Sequence, residues 1–163
     1  MLERVANAVL FQIGWLACVL GGNSLWLLVA LAVLVIHLRW ISSWAAEGRL
    51  ILSVVIVGTA VDSVLRGAGV FAFQDQSPLI PLWLMLLWAL LATTLRHCLA
   101  WSARPWWLAS LLGAVGGALS YYAGGRLAGV QFPYGELPTL IGIGLLWALL
   151  FPLLHAMTRR LAH

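Results

Sequence analysis

Lysine is absent from this chain: its nine basic residues are all arginine, and only five acids accompany them. Charged residues make up 9% of the 163 positions and hydrophobic ones 63%, against roughly 25% and 45–50% in a soluble domain. A chain so short of charge cannot cover itself with a solvated surface, which excludes a soluble globular protein. The net charge of +4 does not point to nucleic acid, because the arginines are scattered at the ends of apolar runs and read as topology signals. The common catalytic templates are missing as well. There is no Walker loop, Cys-x-x-Cys, His-Glu-x-x-His or Gly-x-Ser-x-Gly, so no motif names a reaction. Cysteine occurs only at 18 and 98. Counted along their helices, these lie about 21 Å and about 5 Å from the same membrane face, too far apart for a disulfide, so both are expected as free thiols.

What fills the sequence is a series of long apolar runs. They predict an all-α, polytopic transmembrane bundle, one domain over 1–163, with six spans at about 5–20, 24–40, 49–70, 81–101, 106–123 and 138–157. Gly21-Gly22-Asn23 and Pro78, Pro81, Pro105, Pro133 and Pro138 mark the breaks, and the short connections imply antiparallel hairpins. Met1 to Gly22 is read as a retained first helix, since Glu3 beside Arg4 lacks the positive excess of a signal peptide. Arg4, Arg39, Arg49, Arg104, Arg159 and Arg160 fall on the side of the termini, whereas Arg126, Asp75 and Glu136 fall on the other. The positive-inside rule then places both termini in the cytoplasm. Trp40, Trp44, Trp101, Trp106 and Trp107 gather near the cytoplasmic ends as interfacial rings, with Trp83 marking the opposite face. Trp15, Trp88 and Trp147 lie deeper, as packing residues. Pro152 interrupts the last span.

Polar residues inside the spans carry the candidate chemistry, because a charge in lipid is costly unless paired or functional. Thr59, Asp62, Ser63 and Arg66 share one helical stripe, and Asp62 and Arg66 have the i,i+4 spacing of an ion pair. At about 1.5 Å per residue, Asp62 lies level with Ser120 and Tyr121, which suggests a lock between the third and fifth helices through Tyr121 or Tyr122, or a polar pocket. A second layer holds His37, His97 and His155 near the cytoplasmic ends of three different helices, with Asn7, Gln12, Thr93 and Thr94 at comparable depth. Three imidazoles could gather round a metal or a haem iron. No two share a helix at i,i+3 or i,i+4 spacing and no carboxylate accompanies them, so hydrogen-bonded histidines are the better reading. His163 belongs to the tail. Ala109, Gly113 and Gly117 form a small-residue face for close helix packing, either internal or between two copies of the chain.

Particular strings resemble a family. Asn7 with Phe11-Gln12-x-Gly14-Trp15, Cys18-Val19-Leu20-Gly21-Gly22-Asn23, Asp62-Ser63, Pro81-Leu82-Trp83, Ala92-Thr93-Thr94 with His97, and Gly116-Gly117-x-Leu119-Ser120-Tyr121 with Gly124 are similar to those of a family of short proteobacterial inner-membrane proteins of unknown function. The resemblance covers nearly the whole chain. It implies a multi-pass bacterial inner-membrane protein and singles out Asn7, Gln12, Asp62, Thr93, Thr94, His97, Ser120 and Tyr121, but it implies no activity.

Three expectations follow. The first is a protein that binds a lipid or quinone-like amphiphile as an accessory in envelope lipid metabolism, with membrane lipids as partners. The second is a small transporter or proton-coupled channel using Asp62 and Arg66, oligomerising through Gly113 and Gly117. The third is a membrane-embedded enzyme with His97 as acid or base, or with His37, His97 and His155 as metal ligands. No cofactor is expected, with a haem or metal ion at the histidines as the alternative.

Overall fold

The computed structural model describes residues 1–74 and 77–161; Asp75 and His163 lie outside the described residues. Among the described residues six α-helices make up the fold: α1 (Leu2–Gly21), α2 (Leu27–Ile36), α3 (Trp44–Gly67), α4 (Leu82–Ala92), α5 (Trp106–Ala128) and α6 (Glu136–Arg160). A π-helical turn, His37–Ile41, prolongs α2, and a 3-10 turn, Ala100–Ala103, precedes α5. Among the described residues there is no strand, only an isolated bridge between Ala72 and Gln131. Three helices, α1, α3 and α6, are long and apolar enough to cross a membrane, while α2 and α4 are shorter apolar helices.

The helices pair as hairpins, α1 with α2, α3 with α4 and α5 with α6, the last being the most extensive contact. The start of α1 and the end of α6 meet the same segment after α4, Asn7 at Cys98 and Thr158 at Arg96, and this end of the bundle is here the terminal end. The Ala72 and Gln131 bridge joins the α3–α4 and α5–α6 connections at the far end, where Arg126 also pairs with Glu136 at 2.6 Å. Helix α4 is apolar on every side and sits in the middle, against α1, α2 and α3. Leu84, Trp88, Leu90 and Leu91 are all buried, as suits a helix without a polar face.

Helix α5 runs on to Ala128, beyond the expected 123, and the α-helix expected over 24–40 is Leu27–Ile36 followed by the π turn; two further differences shape the site. The expected span 81–101 stops being α-helical at Ala92. The Thr93 and Thr94 hydroxyls donate back to the carbonyls of Leu90 and Leu91, at 2.7 and 2.6 Å, and such back-bonding competes with the helix's own ladder. Unwound backbone at this depth is tolerated only inside protein, and residues 93–95 are indeed buried. The third helix begins earlier than expected, at Trp44, because the Ser43 hydroxyl accepts the Ala46 N–H at 3.3 Å as an N-cap.

Tryptophan divides by depth. Trp40, Trp44, Trp101, Trp106 and Trp107 are exposed at the terminal end, and Trp15, Trp88 and Trp147 are buried. Trp83 departs from expectation. It is buried, edge-on to Phe73 at 6.1 Å.

Candidate functional site

The buried face of α3 runs through Glu47, Leu50, Ile51, Val54, Gly58 and Asp62. Steps of three and four residues keep them on one stripe, so one helix buries two acids about 22 Å apart along its axis. Each acid organises a polar node.

At the far-side node Asp62 is fully buried. Tyr121 Oη on α5 donates to one carboxylate oxygen at 2.5 Å, and Trp88 Nε1 on α4 donates to the other at 2.7 Å. The lock between α3 and α5 through Tyr121 is therefore present, but the i,i+4 ion pair is not. Among the described residues no ion pair joins Asp62 to Arg66. Arg66 Nη1 instead donates to the Leu79 carbonyl at 2.8 Å, and its guanidinium lies 5.0 Å from the Phe73 ring centre. A carboxylate with two buried donors in place needs no cation to stay satisfied. Nearby, Ser63 Oγ accepts the Ile80 N–H and Ser120 Oγ accepts from Trp15 Nε1, each at 3.3 Å. Trp88 was expected to pack only; its indole N–H is what turns it into a ligand of Asp62.

The terminal-end node is built on Glu47, which sequence reasoning missed. Its Oε2 lies 2.9 Å from His37 Nε2 and its Oε1 lies 2.7 Å from His97 Nε2. The two imidazoles meet edge to face with centroids 5.1 Å apart. Asn7 of α1 closes the group: its Oδ1 accepts the Cys98 N–H at 3.2 Å, and its Nδ2 faces the Thr93 carbonyl at 3.1 Å and His37 Nδ1 at 3.2 Å. The backbone groups freed where α4 unwinds are thus bonded by one amide. Arg96 fixes the same turn from outside, donating to the carbonyls of Ala46 at 2.7 Å and Thr158 at 3.1 Å.

His37 and His97 converge, but His155 does not. Helix α6 brings His155 to the 3-10 turn, where its Nε2 lies 3.0 Å from Ser102 Oγ and its buried Nδ1 has no hydrogen-bond partner among the described residues. The expectation of three histidines without a carboxylate is corrected to two histidines and Glu47. Their ligand-type atoms lie within 4.8 Å of one another, the number and type of donors that could hold a transition metal ion. Gln12 is exposed on α1 with no hydrogen bond among the described residues. Cys18 and Cys98 are free thiols.

Between the two nodes lies an apolar cavity of about 350 Å³. Phe11, Trp15 and Val19 of α1 and a glycine-rich face of α5 form its sides, with Trp88 of α4 and Trp147 and Phe151 of α6 behind. Gly113 and Gly117 are where α6 packs on α5: a Cβ at Gly113 would strike Trp147 and Phe151, and one at Gly117 the Trp147 ring. Gly116 is different. It borders the cavity, and a Cβ there meets nothing within 4 Å. Tyr121 and Ser120 line the cavity towards the far side, and Ser102 towards the terminal end.

The sequence pattern of one family runs through this whole architecture, matching residues 4–153, from before Asn7 to beyond Phe151. The chain belongs to DUF2878, a family of proteins of unknown function. Neither the curated proteins nor the solved structures contain a match to it. The DUF2878 match takes in both nodes and every cavity residue named above, and ends short of His155.

Proposed function

We propose that this DUF2878 protein is a multi-pass protein of the bacterial inner membrane, with both termini cytoplasmic, that binds a lipid or quinone-like amphiphile in the cavity between α1 and α5. In this reading it is an accessory in envelope lipid metabolism. The observation that carries the reading is the cavity itself. Its volume of about 350 Å³ falls within the roughly 300–1,000 Å³ of small-molecule sites, which are mostly apolar with a few placed polar groups. Aromatic and leucine side chains make most of its wall, glycines on α5 leave it open, and the Ser102, Ser120 and Tyr121 hydroxyls supply the polar points. An apolar chain suits such walls, and a carbonyl or hydroxyl head suits such points.

Native mass spectrometry of the protein in mild detergent tests this directly. The wild type is expected to retain a specific lipid or quinone. Gly116→Phe, which puts a ring into open space, should lose it at unchanged thermal stability. A wild-type protein that carries nothing, or a variant that retains the ligand equally, would remove the reading. One observation favours transport as a second reading: Trp88 and Tyr121 both line the cavity and both hold Asp62. That reading expects flux in proteoliposomes that Asp62→Asn abolishes.

A further inference from the structure

The cluster of Asn7, His37, Glu47 and His97 lies apart from the cavity, since none of the four lines it. Its protons can be placed from its hydrogen bonds. Asn7 Oδ1 receives the Cys98 N–H, so the amide nitrogen is the atom that faces the Thr93 carbonyl and His37 Nδ1. Turning the amide round would set an N–H₂ against an N–H and an oxygen against a carbonyl oxygen. Because an amide nitrogen only donates, His37 Nδ1 must offer its lone pair. The ring proton of His37 then sits on Nε2 and points at Glu47 Oε2, 2.9 Å away. Glu47 Oε1 faces His97 Nε2 at 2.7 Å. An ionised carboxylate only accepts, so in this second contact too the ring nitrogen is the donor and the proton sits on Nε2. His97 therefore presents Nδ1 as its basic nitrogen. That atom has no partner among the described residues and is not among the buried polar atoms left without one, while the side chain keeps 19% of its surface exposed.

We propose that His97 is a proton-accepting base at the terminal end of the bundle, held and oriented by Glu47, and that Asn7 fixes His37 in the tautomer that makes the group a proton site rather than a metal centre. Its ligand class is a proton donor, an O–H or N–H acid that reaches Nδ1. In the transfer the donor's O–H or N–H bond breaks and leaves its electron pair on the donor. The proton bonds to Nδ1, and the resulting imidazolium stays paired through Nε2–H with the Glu47 carboxylate. A carboxylate behind an imidazole is the arrangement that orients a histidine base in known dyads. The charged neighbours do not compete for it: Arg96, on the same turn, is turned to the Ala46 and Thr158 carbonyls. A metal on His37 Nε2 would require a proton on Nδ1 with an acceptor beyond it, since metal-bound histidines donate their second N–H. Asn7 puts a donor there.

Nitrogen-15 NMR of the full chain, labelled at histidine and held in detergent, tests the assignment. The wild type should show His37 and His97 both protonated at Nε2. In Glu47→Gln the carboxamide has one acceptor, which His37 takes, and its amide nitrogen then faces His97. His97 should switch to the Nδ1–H form while His37 stays unchanged, and modification of His97 by diethyl pyrocarbonate should fall to background. Asn7→Asp replaces the donor facing His37 with an acceptor. It should switch His37 to Nδ1–H and raise the affinity for added Zn²⁺ above that of the wild type. His37 protonated at Nδ1 in the wild type would overturn the proposal without recourse to any variant. So would an unmoved His97 in folded Glu47→Gln, or stoichiometric Zn²⁺ binding by the wild type.

Discussion

Replacing Asn7 by alanine removes three hydrogen bonds and leaves the Cys98 N–H and the Thr93 carbonyl without a partner. Each buried group so orphaned costs about 1–3 kcal/mol, so Asn7→Ala should lower stability by about 3 kcal/mol, read as a fall in unfolding temperature in detergent. Asp62→Asn keeps the shape of the far-side node but sets an amide N–H₂ against either Tyr121 Oη or Trp88 Nε1. A loss of about 2 kcal/mol is expected, with a change in Trp fluorescence as the local readout. Asp62, Tyr121, Asn7, Thr93 and His97 were all legible in the sequence as polar residues inside apolar runs. Glu47 was not. Hydropathy started the third helix at 49 and left this acid in a connection, although Ser43 as an N-cap and the stripe leading back from Asp62 through Gly58, Val54 and Leu50 point to it. The Asp62–Arg66 spacing misled for the opposite reason: a spacing permits a pair but says nothing of an indole and a phenol arriving from other helices.

The middle of the bundle depends on how α4 ends and how α5 is surfaced. Apolar run length cannot show that Thr93 and Thr94 back-bond and that Asn7 takes over the freed backbone, so the expected span ran on to 101. On α5 the glycine pattern was legible, but the division within it was not, because neighbouring glycines meet different things. Gly113→Val must push Trp147 and Phe151 aside and should cost about 1–3 kcal/mol by overpacking. Gly116 has open space and should accept alanine with no measurable change in unfolding temperature. Gly58→Ala should behave like Gly113→Val, since its Cβ would enter the Trp88 ring and that ring cannot retreat without releasing Asp62.

For the whole molecule, hydropathy and hairpin logic were sufficient to give an all-α bundle, because lipid leaves the backbone few other solutions. Five exposed tryptophans at the terminal end agree with a membrane–water boundary there. With the arginines Arg4, Arg39, Arg49, Arg104, Arg159 and Arg160 on the same side, a reporter fused to the C-terminus should be active in the cytoplasm and inactive as a periplasmic reporter. The reverse result would invert the proposed topology.

Helix α3 carries one buried acid near each end of a single face, with a different set of donors gripping each. Turning a helix by one residue rotates its face by about 100°, which would pull Glu47 from its histidines and Asp62 from its indole and phenol in the same movement. The helix is keyed twice, like a bolt thrown into two strikes. A disturbance that frees one key, such as an occupant of the cavity displacing Trp88, still leaves α3 held in register by the other.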